Sequence, residues 1–223
     1  MIKLLIFDLD GTLVDSAPDI VASAQLLRTR HKLPNLPDKT IISYIGNGSR
    51  MLVTRLFPHE AENPAQITRL TEEFFGIYEQ NLVVKTTPMP GILEFLDQHA
   101  HAYQIALVTN KHEHLTRLMI EKMPFARYNW ACLFGGDSLA RQKPDPLPLL
   151  ETLQRLGVSK NEAVMIGDGL PDMQAAKAAG LRAIGLEFGY TPPGLLKEAG
   201  ATLLLKSFHQ LKETLEHLDQ RGG

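Results

Sequence analysis

Short apolar runs that end in a polar residue alternate along this chain with longer stretches at helical spacing. Leu4-Leu5-Ile6-Phe7 stops at Asp8, and a second carboxylate, Asp10, follows two positions later. A continuous apolar run of this kind suits a strand buried on both faces of a parallel sheet. Gln104 to Val108 ahead of Thr109, and Ala163 to Gly167 ahead of Asp168, repeat the design. Ala131 to Phe134 predicts another strand, with two more near Arg182 to Gly185 and Thr202 to Leu204. Helical patterns fill the intervals: Ile92 to His99, His112 to Met123, Pro146 to Leu156 stopped by Gly157, and Pro171 to Ala179 stopped by Gly180. An amphipathic helix is expected from about Ser207 onward. The alternation predicts an α/β fold with a parallel sheet covered on both faces.

Residues 16 to 85 break that rhythm. Ile20, Val21, Ala24 and Leu27 give one helical face, and His31 to Asp38 is a Pro-rich break. Ile41 to Phe57 reads as a second helical region, interrupted by Gly46-Asn47-Gly48-Ser49-Arg50. Asn63-Pro64 caps a third, with Ile67, Leu70, Phe74 and Ile77 in register. Almost nothing here resembles a buried strand. The expectation is a helical insert of roughly 70 residues, large enough for a small domain, set into a core of residues 1–15 and 86–223.

Composition narrows the class of function. A net charge of −2 supplies no global field for nucleic acid or an anionic membrane surface, so an anionic substrate needs local positive groups. Cys132 is the single cysteine, which excludes an internal disulfide, and its apolar setting reads as core. Met1-Ile2-Lys3 leads into too few apolar residues for a signal-peptide core, and no stretch has the length of a membrane span. A cytoplasmic protein without nucleic-acid or membrane partners is the expectation.

The chemistry gathers at strand ends. Asp8 and Asp10 repel one another when both are ionised, so a cation or a shared proton must hold them. Gly11 lets the turn after them fold tightly. One Asp at such a point reads as a loop or helix cap; Asp-x-Asp-Gly-Thr closing a buried strand reads as chemistry. Thr109-Asn110, Lys143 and Asp168 lie at other strand ends, and in a parallel sheet these ends can converge on one crevice. His112 and His114 have no third ligand at metal spacing and read as solvated residues at a helix start.

Taken together, Asp8-Leu9-Asp10-Gly11-Thr12, Thr109-Asn110, Lys143-Pro144 and Gly167-Asp168-x-x-x-Asp172 resemble the four motifs of haloacid dehalogenase superfamily phosphatases. The resemblance implies a Rossmann-like core whose first strand is central, flanked by those ending in the second and fourth motifs. It implies that the insert is a C1-type helical cap. Asp8 would be the nucleophile and Asp10 the general acid and base, roles that a carboxylate can fill. Mg²⁺ would be held by Asp8, the Asp10 carbonyl and Asp168, an all-oxygen set suited to a hard cation. Gly11, Thr12, Thr109, Asn110 and Lys143 would meet the phosphate, and Asp172 would orient Lys143 or a metal-bound water. Lys111 is a nearby competitor for the role of Lys143.

Several stretches are also similar to those of phosphoglycolate phosphatases: Ile45 to Arg50, Val108-Thr109-Asn110-Lys111, and Gly135 to Leu139 leading to Lys143-Pro144. Gly169 departs from the Ser frequent there, and Thr202 from a frequent Asp. The implied substrate is a small phosphorylated metabolite. Arg50 is either a clamp for its carboxylate or a surface arginine at a helix start. The alternatives within the superfamily are a phosphatase or phosphomutase acting on a sugar phosphate, and a dehalogenase, which needs neither Asp10 nor Mg²⁺. Outside it stand a phospho-accepting signalling module, which needs no cap, and a non-catalytic binding protein.

Overall fold

The computed structural model describes residues 1–220. The chain runs through β1 (Leu4–Phe7) and β2 (Val14–Asp15) into four helices, α1 (Ala17–Arg30), α2 (Asp38–Ile42), α3 (Ser49–Leu56) and α4 (Pro64–Gln80). It returns through β3 (Thr87–Pro88) to α5 (Ile92–His99), β4 (Gln104–Val108), α6 (Glu113–Lys122), β5 (Trp130–Phe134) and α7 (Leu147–Leu156). The remaining elements are β6 (Ala163–Gly167), α8 (Leu170–Ala179), β7 (Arg182–Leu186), α9 (Pro193–Ala199), β8 (Leu203–Leu205) and α10 (Leu211–Gln220).

Six strands form one parallel sheet in the order β5-β4-β1-β6-β7-β8. β1 is therefore flanked by β4 and β6, the strands that precede Thr109 and Asp168. Its unbroken apolar run follows from burial on both faces: Leu5 and Phe7 enter one apolar cluster, Leu4 and Ile6 the other. The first cluster continues into the helical insert through Ile20, Leu52 and Phe74, so the insert and one face of the sheet share a core.

The expected helix over Ile41 to Phe57 is two short ones. α2 stops at Ile42, and Gly46 and Gly48 then adopt φ of +102° and +84°, a positive-φ backbone that delays α3 to Ser49. α9 was not predicted; only Leu196 of it is buried, so it carries no apolar periodicity to read. Among the described residues no helix is long and apolar enough to cross a membrane.

The chain leaves and re-enters the core through a narrow neck. β2 and β3 pair antiparallel, Val14 with Pro88 and Asp15 with Thr87. Asp19, buried in the first turn of α1, ties the two crossings together. Its carboxylate accepts from the amides of Val84, Lys85 and Thr86 at 2.8–3.0 Å and from Thr86 Oγ1 at 2.7 Å.

Candidate active site

The carboxyl ends of β1 and β6, the first turn of α8 and the loop after β5 bring four charged side chains into one buried group; Lys143 lies in that loop, nine residues past Phe134, rather than at a strand end. Lys143 Nζ donates to Asp8 Oδ1 at 3.0 Å, Asp172 Oδ1 at 2.5 Å and the Val108 carbonyl at 2.5 Å, which uses all three of its N–H groups. Burial alone would lower the Lys143 pKa, but the charges of Asp172 and Asp8 outweigh it and raise the value. Asp168 Oδ1 accepts from Thr12 Oγ1 at 2.9 Å and its Oδ2 from the Tyr190 amide at 2.7 Å. Asp172 Oδ2 accepts from the Gly169 amide at 2.9 Å, so the first turn of α8 orients it.

Three glycines make this crowding possible. A Cβ on Gly11 would lie 2.2 Å from Asp168 Oδ2, one on Gly189 2.1 Å from Asp168 Cβ, and one on Gly167 2.2 Å from Asp172 Oδ2. Any side chain at these positions pushes an acid out of place.

Asp8, Asp168 and Asp172 each bring an oxygen within 4.8 Å of the others. Three carboxylates face a single ammonium, so the group carries −2 when all four are ionised. Burial, and then the charge of Asp8, pushes Asp168 well above the usual carboxylate range. The same two causes push Asp172 up to about 6, against the opposing pull of Lys143. A buried all-oxygen group with excess negative charge fits a hard divalent cation. Asp8 and Asp168 would be the direct ligands: Asp172 is held at 2.5 Å by the Lys143 ammonium, whereas Asp168 accepts only from neutral donors, Thr12 and the Tyr190 amide.

Asp10 belongs to a second pair. Its Oδ1 accepts from Ser16 Oγ at 2.5 Å, and Lys111 Nζ donates to its two oxygens at 2.9 and 3.1 Å. The same ammonium donates to Tyr78 Oη at 2.7 Å and lies 4.5 Å from that ring's centroid. Asp8, Asp10, Thr109, Asn110 and Lys111 form the floor of a cavity of about 40 Å³. The insert roofs it with Ile20, Ile45, Leu52, Phe74 and Tyr78, and with the turn at Gly46, Gly48 and Ser49. Two core side chains hold that turn: Asn110 Nδ2 donates to the Gly46 carbonyl at 2.9 Å, and Gln142 Nε2 to the Asn47 carbonyl at 3.2 Å.

Several expected site residues have other duties. Gly11 and Thr12 do not line the cavity, and their amides donate to the Val14 and Leu9 carbonyls. Gly11 makes room for Asp168 and Thr12 orients it, so neither offers a donor to a phosphate. The Asn110 amide nitrogen is committed to the Gly46 and Lys143 carbonyls, the latter at 2.8 Å. Arg50 turns away altogether: its guanidinium donates to Thr68 Oγ1 at 2.9 Å and the Pro64 carbonyl at 3.4 Å on the exposed side of the insert. His112 and His114 pair with Asp137 and Glu79 at the start of α6, half-exposed or exposed, and join no metal group among the described residues.

Four contributors carry no local signal. Tyr78, Asp19 and Tyr190 act through partners far away in sequence, and Ser16, six residues after Asp10, has no motif to mark it. Tyr190 Oη accepts from the amides of Ser16 and Ala17 at 2.9 and 3.0 Å and donates to Asp15 Oδ1 at 2.9 Å, while its own amide holds Asp168. The Tyr78 hydroxyl is kept neutral by burial, reinforced by the charges of Asp10 and Asp19. In sequence Tyr78 only extends the apolar face of α4.

The chain is similar to known proteins over most of its length. The family model for haloacid dehalogenase-like hydrolases matches residues 5–186. A phosphoglycolate phosphatase of Chromobacterium violaceum is 36% identical over 220 residues, covering 97% of each chain. One from Neisseria meningitidis serogroup A is 34% identical over 228 residues, covering 96% of this chain and 94% of the relative. The crystal structure of a predicted phosphoglycolate phosphatase from Haemophilus somnus superposes with a TM-score of 0.88 at 27% identity, covering 96% of this chain and 98% of that one.

Proposed function

The chain belongs to the haloacid dehalogenase-like hydrolases, and from that membership we propose that it is a Mg²⁺-dependent phosphomonoesterase acting on 2-phosphoglycolate. One observation carries the reading: a carboxylate paired with a buried lysine and a second carboxylate two residues on face the same roofed cavity. Asp8 is the nucleophile. Its carboxylate forms a bond to phosphorus as the bond to the leaving oxygen breaks, and Asp10 gives that oxygen its proton. Asp10 then takes a proton from the water that opens the aspartyl phosphate, releasing phosphate and restoring Asp8.

Lys143 keeps Asp8 oriented and offsets negative charge as the phosphate approaches. Thr109, at the end of β4, is the donor for phosphoryl oxygens. A Mg²⁺ held by Asp8, Asp168 and the Asp10 carbonyl would supply the remaining charge neutralisation. The insert, residues 16–85, acts as a cap that excludes water from Asp8 before attack.

The choice of substrate is supported by wall chemistry and by the names of the relatives: the roof of the cavity is mostly aliphatic and aromatic. A sugar would bury hydroxyls there without partners. The test is phosphate release from a panel of phosphate monoesters, with Mg²⁺ and with excess chelator. Fastest turnover of 2-phosphoglycolate, abolished by chelation, is expected. Undiminished release in chelator, or a preference for hexose phosphates, overturns the reading.

A further inference from the structure

A substrate carrying both a phosphate and a carboxylate brings about three negative charges into a small, mostly apolar space. Each needs a partner that survives desolvation. Lys143 cannot serve the carboxylate, because its three donors are already committed. Arg50 points out of the cavity. Of the residues that line the cavity, Lys111 alone has a cationic side chain.

The Lys111 ammonium has capacity to give. Two of its contacts go to the same carboxylate, Asp10, which keeps a Ser16 donor at 2.5 Å if one of them is withdrawn. Its third contact, the Tyr78 hydroxyl, accepts from the ammonium and so keeps its own proton for an anion beside it. Tyr78 comes from the insert and Lys111 from the core, so the pair exists only when the two meet over Asp10.

Resting on the hydrolase reading above, we infer that Lys111 and Tyr78 form the subsite that recognises a carboxylate on the leaving group, selecting phosphate esters of short 2-hydroxy acids. Aliphatic walls at Ile20, Ile45 and Leu52 lower the local dielectric, which strengthens the ammonium–carboxylate attraction and penalises a neutral polar group.

The experiment compares 2-phosphoglycolate with 2-hydroxyethyl phosphate, a phosphate monoester of similar length whose leaving group is uncharged, in this chain. The readout is the ratio of the two kcat/KM values. Both substrates use Asp10, so any effect of a substitution on proton transfer or folding cancels in the ratio. The wild type is expected to favour 2-phosphoglycolate by about 10–100-fold, the range for a hydrogen bond to a charged group. Lys111→Met should bring the ratio near one, although both rates fall. Tyr78→Phe should reduce the ratio by about tenfold, through KM for 2-phosphoglycolate, and Arg50→Met should leave it unchanged. Calorimetric binding of both esters in chelator gives the same comparison without turnover. If no ester is turned over, the hydrolase reading fails while the binding ratio still decides the subsite. Esters turned over with a ratio indifferent to Lys111 and Tyr78, or one that follows Arg50, overturn the subsite alone.

Discussion

Lys143 Nζ and Asp172 Oδ1 stand 2.5 Å apart with both side chains buried, and the same ammonium holds Asp8. The lysine is the one positive charge among three buried carboxylates. Lys143→Met should therefore destabilise the metal-free fold by about 3–5 kcal/mol, the range for a buried charge stripped of its partner. Urea unfolding in chelator measures this. A loss below about 1 kcal/mol would mean that the acids are already protonated and that the cation balances little.

Asp8→Asn should act in opposite directions on turnover and stability. With the proposed nucleophile removed, phosphate release is expected to fall by several orders of magnitude. The metal-free protein, relieved of one of three crowded carboxylates, should become more stable. A gain of about 1 kcal/mol would raise Tm by roughly 2–4 °C for a chain of this size. A lower Tm in the variant would contradict the −2 imbalance described above.

The pH dependence follows from Asp168 and Asp172. Both have folded pKa values above their unfolded ones, well above for Asp168 and to about 6 for Asp172. Between about pH 4 and pH 6 the folded state therefore binds more protons than the unfolded state. The contribution of Asp172 to stability is lost as pH rises through that window, and that of Asp168 as pH rises through its own raised value. Mg²⁺ competes with the same protons. Its stabilising increment in Tm should be larger at about pH 7.5 than at about pH 5, measured by thermal melts with and without the metal. An increment that is equal at both values would place Mg²⁺ away from these acids.

Asp19 holds four donors from the returning crossing. Asp19→Asn removes the charge and turns an N–H₂ toward those donors. A loss of about 1.5–3 kcal/mol is expected. Proteolysis should appear first between Leu82 and Pro88, where the amides lose their acceptor. Cleavage elsewhere with the neck still protected would show that Asp19 does not tie the crossings.

The sheet was legible because two-faced burial writes continuous apolar runs, and a polar residue closing each run marks the end where ligands bind. Asp8, Thr109 and Asp168 could be put at one place for that reason; Lys143, nine residues beyond β5, and Asp172, inside α8, were placed by the resemblance of their motifs. Arg50 stayed open between a carboxylate clamp and a surface arginine because its position beside a glycine-rich turn says nothing of which side of α3 it occupies. Gly11 and Thr12 sit in the expected motif, yet they contact Asp168, 156 residues from Thr12. The Tyr190 hydroxyl reaches Asp15 across 175 positions from a loop after β7, with no periodicity at either end. Such contacts depend on the closed sheet and leave no trace in local pattern.

The paired crossings at β2 and β3 bear on how such proteins diversify. Adjacent strands lie about 4.8 Å apart, so the core sees the 16–85 segment as a detour that returns to its starting point. Helices can be lengthened, lost or exchanged within that detour without changing the register of β1 against β4 and β6. New leaving-group preferences can thus arise by rewriting one contiguous stretch of the gene while the phosphate chemistry is inherited intact. The constraint on each rewritten stretch is to meet the core again at the points used here: Gly46 against Asn110, and Tyr78 against Lys111.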